Sequence, residues 1–272
     1  MNTAWNIAFE QLTLGYGSRT ILKDITATLP AGKMSVILGG SGCGKSTLLK
    51  HIIGLHRPQS GILRLAGQDL FALPAREFRR MRRHMGMLFQ DGALLGALTL
   101  AQNVALPLSE NTSLSARVLR EAALATLDLV GLADFGDYYP NELSGGMRKR
   151  AGLARAIITE PSVLLCDEPT SGLDPITAAQ MDQLLLDMHD RFSGMTTVVV
   201  SHDLESVRRI ADQVLVLRDG AAIFCGTYAE LARSRDPYLS QFLHREADEQ
   251  RRMAHSARNP AVRAALDAWL NR

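Results

Sequence analysis

Two stretches of this sequence gather the residue types that phosphate chemistry needs. GGSGCGKST, from Gly39 to Thr47, fits the pattern G-x-x-x-x-G-K-[ST] through Gly39, Gly44, Lys45 and Ser46. Its glycines let the chain bend so that the N–H groups of Gly40, Ser41, Gly42, Cys43, Gly44 and Thr47 face an anion. Lys45 puts a point charge on the outer phosphates, and the Ser46 hydroxyl is placed for Mg²⁺. Cys43 fills a variable position and is read as a spectator. SVLLCDEPTSGLDP, from Ser162 to Pro175, ends an apolar run in two acids. Asp167 suits a divalent cation, directly or through water. Glu168 is placed to activate an attacking water as general base, a role worth roughly 10²–10⁴ in rate. A third stretch, LSGGMRKRAGLARA, opens a helix with the Ser144 hydroxyl and the free N–H groups of Gly145 and Gly146. One chain therefore carries two anion-binding helix starts.

Such groups must be held by rigid elements, and the pattern supplies them. KMSVILGG reads as a buried strand entering the glycine loop, and STLLKHIIGL as the helix leaving it, ended by Gly54 and Pro58. HMGMLFQ, SVLLCDEP, MTTVVVSHD and QVLVLRDG are further strands. The first three of these end in polar residues, at the sheet edge where ligands sit in open α/β folds. IAFEQLTLGYG and RTILKDITATL alternate more strictly and read as antiparallel strands. Residues 98–160 read as mostly helical. The fold class expected is α/β: a parallel-sheet core, an antiparallel β flap and an inserted helical subdomain. One domain is expected over residues 1–245. A charged tail follows over 246–272, whose Val262, Leu266, Trp269 and Leu270 share a helix face behind a cap at Asn259 and Pro260. That face either folds back on its own domain or docks on a second subunit.

Composition narrows the class. The 272 residues are 46% hydrophobic and 21% charged, with a net charge of +2, so charge alone implies neither nucleic acid nor an acidic membrane surface. Three scattered cysteines, Cys43, Cys166 and Cys225, fit a reducing compartment. MNTAWNIAFEQ lacks the basic start and apolar stretch of a signal peptide, and no run approaches the roughly 18–20 apolar residues of a spanning helix. Service to a membrane is expected to go through a partner.

Joined in this order, the motifs resemble the nucleotide-binding subunits of ATP-binding-cassette transporters, over residues 7–245. The resemblance implies further roles. Tyr16, in GYGSRT, stacks on adenine. Gln90, ending MLFQ, contacts Mg²⁺ and the attacking water. Ser144, Gly145 and Gly146 form the signature loop, Gly172, Leu173 and Asp174 the loop after the carboxylates, and His202, in VVVSHD, holds the γ-phosphate. It also implies ATP and Mg²⁺ as cofactors, and a head-to-tail homodimer in which each phosphate loop is closed by the partner's signature helix. An integral-membrane permease is implied too, together with a peripheral place on the cytoplasmic face of the inner membrane.

FQ-x-GAL, NVALPL, LSGGM and DPITAAQMDQLL are similar to one branch, the ATPases of Mla/MCE-type phospholipid and sterol transport systems. That branch implies phospholipid movement between bacterial membranes, an MCE-type substrate-binding protein and a small regulatory subunit. Polar amino-acid importer ATPases share the length and motif set. A soluble nucleic-acid-associated cassette is disfavoured by the single cassette and short insertion, and no nucleic acid partner is expected. A nucleotide sensor without turnover is disfavoured by the presence of Glu168 and His202. One departure is Met147, where the family usually has glutamine; a thioether cannot donate an amide's hydrogen bonds. By position, residues 88–108, with Ala93, Leu94, Leu95 and Leu98, build a groove for a permease helix. The five arginines between Arg76 and Arg83 read first as a solvated helix face, with phosphate or lipid head-group contact as the alternative.

Overall fold

The computed structural model describes residues 4–244 together with 268 and 269. Apart from Ala268 and Trp269, which are helical, the tail expected over 246–272 lies outside the described residues. In chain order the elements are β1 (Ile7–Tyr16), β2 (Arg19–Leu29), β3 (Met34–Gly39), α1 (Lys45–Ile52), β4 (Ser60–Leu65), β5 (Gln68–Asp69), α2 (Ala75–Arg82) and β6 (Met85–Leu88). The inserted helices are α3 (Leu100–Ser109), α4 (Ala116–Leu129) and α5 (Gly145–Ile157). Then come β7 (Val163–Asp167), α6 (Pro175–Arg191), β8 (Thr196–Ser201), α7 (Leu204–Ile210), β9 (Gln213–Arg218), β10 (Ala221–Gly226), α8 (Tyr228–Ala232) and α9 (Pro237–His244). The chain divides into two compact units, Met1–Leu231 and Ala232–Arg272.

The larger unit holds two sheets. Six strands in the order β10-β9-β3-β8-β7-β6 form the main one, and β9 to β6 run parallel while β10 pairs antiparallel at one edge. Every residue of β3, β6, β7 and β8 is buried. That explains their near-continuous apolar runs, since a parallel sheet is covered on both faces. The second sheet, β2-β1-β4-β5, is antiparallel. Its inner residues Ile7, Phe9, Leu12 and Leu14 share one buried cluster with Leu48, Leu49 and Ile52 of α1 and with Ile37, Leu165 and Leu215 of the main sheet. Each such side chain contributes about 1.5–3 kcal/mol by leaving water, so α1 is fixed from both sides.

The inserted helices begin on polar caps. Thr99 and Gln102 form a reciprocal capping box on α3, and Ser115 and Ser144 cap α4 and α5. Buried Asn103 ties down the loop before α3. Its Oδ1 accepts from Leu95 N at 2.7 Å, and its Nδ2 donates to the carbonyls of Leu95, Leu98 and Thr99. The strands β4, β5 and β10 were not anticipated from the sequence pattern.

Candidate nucleotide site

The glycine loop leads into α1 through Gly44, which has φ 107° and leaves an added Cβ only 2.7 Å from Leu22 Cδ2. Only glycine meets both demands. Lys45, 7% exposed, curls over the loop: its Nζ donates to Gly39 O at 2.8 Å and to Gly40 O at 3.1 Å. Ser46 Oγ donates to Asp167 Oδ1 at 2.9 Å.

β7 and β8 bring the remaining groups to the same edge. Glu168 follows β7 with φ 50°, a left-handed conformation that costs a side-chain-bearing residue on the order of 1–3 kcal/mol. Its N–H donates to Val200 O of β8 at 3.0 Å. Its carboxylate lies between two partners: Oε1 is 3.8 Å from Lys45 Nζ, and Oε2 accepts from His202 Nδ1 at 2.7 Å. Facing a carboxylate, that ring nitrogen is the protonated one. Burial pushes the Asp167 carboxyl above its ordinary range, opposed by the Ser46 hydroxyl and by Lys50 and Lys45. Burial likewise raises the Cys43 thiol, which keeps it neutral and agrees with a spectator.

These groups surround one cavity of about 500 Å³. Ser41, Gly42, Gly44, Lys45, Ser46, Thr47, Gln90, Glu168 and His202 line it, together with Ile21 and Ser171, which sequence reasoning did not select. Asp167 joins through Ser46. Tyr16 lies outside the lining and is exposed, its ring 4.9 Å edge-on from His56 and 6.4 Å from His51. The sequence offered no signal for that histidine pair. Asp174 caps α6 through Oδ1, which accepts from Ile176 N and Thr177 N at 3.1 Å. The Thr177 side chain first, then the backbone bonds from Thr177 and Ile176, hold its carboxyl below the usual range. Ser144 and Gly145 open to solvent and do not line the cavity. Ser144 Oγ accepts from Met147 N at 3.3 Å, so residue 147 serves the cap through its backbone whatever its side chain.

The donor set also bears on a metal. Among the described residues, no group of three or more His, Cys, Asp or Glu side chains is arranged to hold an ion. A hydroxyl beside one carboxylate is instead the sparse oxygen set with which Mg²⁺ binds when phosphates and water complete its shell. A carboxylate disfavoured by burial gains most from an incoming cation.

Two anchors emerge on α5. Lys149, 5% exposed, donates from Nζ to Glu168 O at 3.1 Å and Ser171 O at 2.5 Å. Burial lowers its pKa, opposed by Asp91 and Glu168. Arg155 donates to Gly92 O and Ala93 O, both at 2.7 Å. A separate groove of about 740 Å³ is lined by Arg79, Arg82 and Arg83, by Phe89 and Ala93, and by Leu106 to Leu108. Leu94, Leu95 and Leu98 do not line it.

A glycine loop leading from β3 into a helix, a histidine at the end of the neighbouring strand β8 and two carboxylates at the end of the next strand, β7, define a nucleoside-triphosphate-binding cassette, and the chain belongs to the ABC transporter family. The profile described as ABC transporter matches residues 22–171. Among named relatives, the chain is 39% identical over 253 residues to the intermembrane phospholipid transport system ATP-binding protein MlaF of Haemophilus influenzae, covering 93% of this chain and 96% of that one. It is 41% identical over 239 residues to the probable ribonucleotide transport ATP-binding protein mkl of Mycobacterium tuberculosis, covering 88% of this chain but only 66% of that one. Among solved structures, the dimeric post-hydrolysis state of the ATP-binding cassette MJ0796 bound to ADP and Pi matches with a TM-score of 0.74 at 31% identity, covering 81% of this chain and 98% of that one. The fold is therefore that of an ABC ATPase cassette, which implies ATP binding. Among the described residues, no helix is long and apolar enough to cross a membrane.

Proposed function

We propose that this chain is the ATP-hydrolysing subunit of a membrane transporter that moves phospholipids between bacterial membranes, held at the cytoplasmic face of the inner membrane by its permease. The observation that carries the chemistry is Glu168, 12% exposed and pinned between Lys45 and His202 at the rim of the phosphate cavity. The cargo reading rests on MlaF, which this chain matches along nearly the full length of both. The relative named for ribonucleotides extends well beyond the matched region.

In the proposed mechanism the loop amides and Lys45 bind the phosphates, Lys45 exchanging the Gly39 and Gly40 carbonyls for phosphate oxygens. Adenine stacks on Tyr16. Ser46 and Asp167 would hold Mg²⁺, which would supply neutralisation of the phosphate charge. Glu168 accepts the proton of a water aligned by Gln90 and His202. The signature groups Ser144, Gly145 and Gly146 do not line the chain's own cavity, so on this reading the phosphate they bind belongs to a second copy. That makes ATP the bridge of a C2 dimer, and its hydrolysis the event that opens it. The arginine-lined groove, next to the Gln90 loop, receives a cytoplasmic segment of the permease. An MCE-type protein and a small regulatory subunit complete the assembly.

Glu168→Gln tests the chemistry and the partners together. The amide cannot take a proton, so turnover should fall by at least ~10²-fold while an ATP-bound dimer accumulates on size-exclusion chromatography. The trapped protein, solubilised from membranes, should carry its permease and phospholipid. Wild-type turnover in this variant refutes the base assignment. A complex that carries nucleotides or polar amino acids refutes the cargo.

A further inference from the structure

The catalytic turn is held from an unexpected direction. Glu168 occupies a left-handed conformation, which persists only where surrounding bonds over-determine it. The bond from its N–H to β8 fixes one side. The other side is fixed by a buried cation, Lys149 of α5, whose ammonium bridges the carbonyls of Glu168 and Ser171. α5 begins at Ser144, the signature cap. Two turns further along, Arg155 grips the carbonyls of Gly92 and Ala93, just past Gln90. Between them Gly152 packs so closely on that loop that an added Cβ would sit 2.9 Å from Gly92 Cα. One short rigid helix thus touches both loops that aim the attacking water, while its N-terminus faces outward.

We propose that Lys149 is a positioning residue: it clamps the turn that carries Glu168 to the signature helix, so that engagement of a partner's nucleotide at Ser144 sets the aim of this subunit's own catalytic carboxylate. The proposal rests on Glu168 as general base. Lys149 does not line the cavity. It acts by denying the Glu168–Ser171 turn any other conformation, and through α5 it couples the two ATP sites of a dimer.

The test is steady-state ATP hydrolysis, with dimerisation followed by size-exclusion chromatography in MgATP. Lys149→Met removes both hydrogen bonds but keeps the apolar stem. It should lower kcat by roughly 10–100-fold, the scale of a small misplacement of a catalytic group. KM for ATP should stay within about 2-fold, and the ATP-bound dimer should accumulate as in Glu168→Gln. Lys149→Gln restores an NH₂ that donates two bonds without a charge, and should recover most of the lost kcat. Unchanged kcat in Lys149→Met overturns the proposal. So does a raised KM with loss of the dimer, which marks Lys149 as a support of the signature helix alone, and so does a glutamine variant no better than methionine. If Lys149→Met does not fold, the glutamine variant carries the test: near-wild-type kcat supports the clamp, and a 10–100-fold loss overturns it. Glu168→Gln in parallel separates the two ideas. If it still turns over, the base assignment has failed. If it is dead while Lys149→Met is fully active, only the clamp has failed.

Discussion

At the scale of single residues, the site contains groups whose folded surroundings suit the ligand better than the empty fold. Asp167 is the clearest. Its carboxyl is raised by burial and relieved in part by the Ser46 hydroxyl. A folded pKa above the unfolded one means that the contribution to stability is present below the unfolded value and is lost as pH rises through the folded value. Asp167→Asn keeps an acceptor for Ser46 without the charge. The nucleotide-free variant should melt higher than wild type above that range, and its melting temperature should fall less steeply with rising pH. It should also lose the stabilisation that Mg²⁺ and ATP confer on wild type. Scanning calorimetry across pH, with and without MgATP, reads both effects; equal pH slopes for the two proteins would contradict the burial argument. The variant trades function for stability, as residues strained toward a ligand do.

At the scale of elements, α5 is the part on which most depends and the part least legible beforehand. Gly152 shows why. Its added Cβ would meet Gly92 Cα at 2.9 Å and Leu88 Cδ1 at 3.0 Å, and a backbone atom cannot swing aside. Gly152→Val gains under about 1 kcal/mol of helix propensity against an overpacking cost of about 1–3 kcal/mol. The expected result is a lower melting temperature and slower hydrolysis, because the Gln90 loop is pushed from the water. Gly96 is the control: an added Cβ there meets nothing within 4 Å, and Gly96→Ala should be close to neutral in both assays. The strands that deliver Gln90, Asp167 and His202 were readable because burial on both faces forces continuous apolar runs. β10 was not: its run AAIFC is apolar, but at the sheet edge its residues alternate between exposed and half-buried, so its composition does not carry the polar alternation of an edge strand. Neither were β4, which opens on two exposed residues, and β5, which has only two residues. Lys149 was hidden for a related reason. A lysine normally faces water, and only its place three and four residues before buried Gly152 and Leu153 betrays an inward face. Loop residues with an obligate chemical type, Gly39, Gly44, Lys45 and Ser46 together with Glu168, stand out in the sequence because few side chains meet those demands.

At the scale of the whole molecule, the proposed dimer means that no single copy holds a complete site. Lys45 and Ser144 belong to one chain but, on this reading, to different sites of the dimer, and mixing tests it. Lys45→Ala removes the charge on the phosphates; Ser144→Arg blocks the approach of the partner's nucleotide. Each alone makes a homodimer with both sites broken, and should lose at least ~10²-fold in turnover, the scale of removing a preorganised donor. In an equimolar mixture with free exchange, half of the dimers are hybrids. In a hybrid the two lesions meet at one site and leave the other whole. Turnover should then rise toward about a quarter of wild type where the two sites fire independently, and the rise should follow subunit exchange in time. If Ser144→Arg alone keeps wild-type turnover, or if hybrids form and turnover does not rise, every chain completes its own site. The exposed Ser144 cap would then need another ligand.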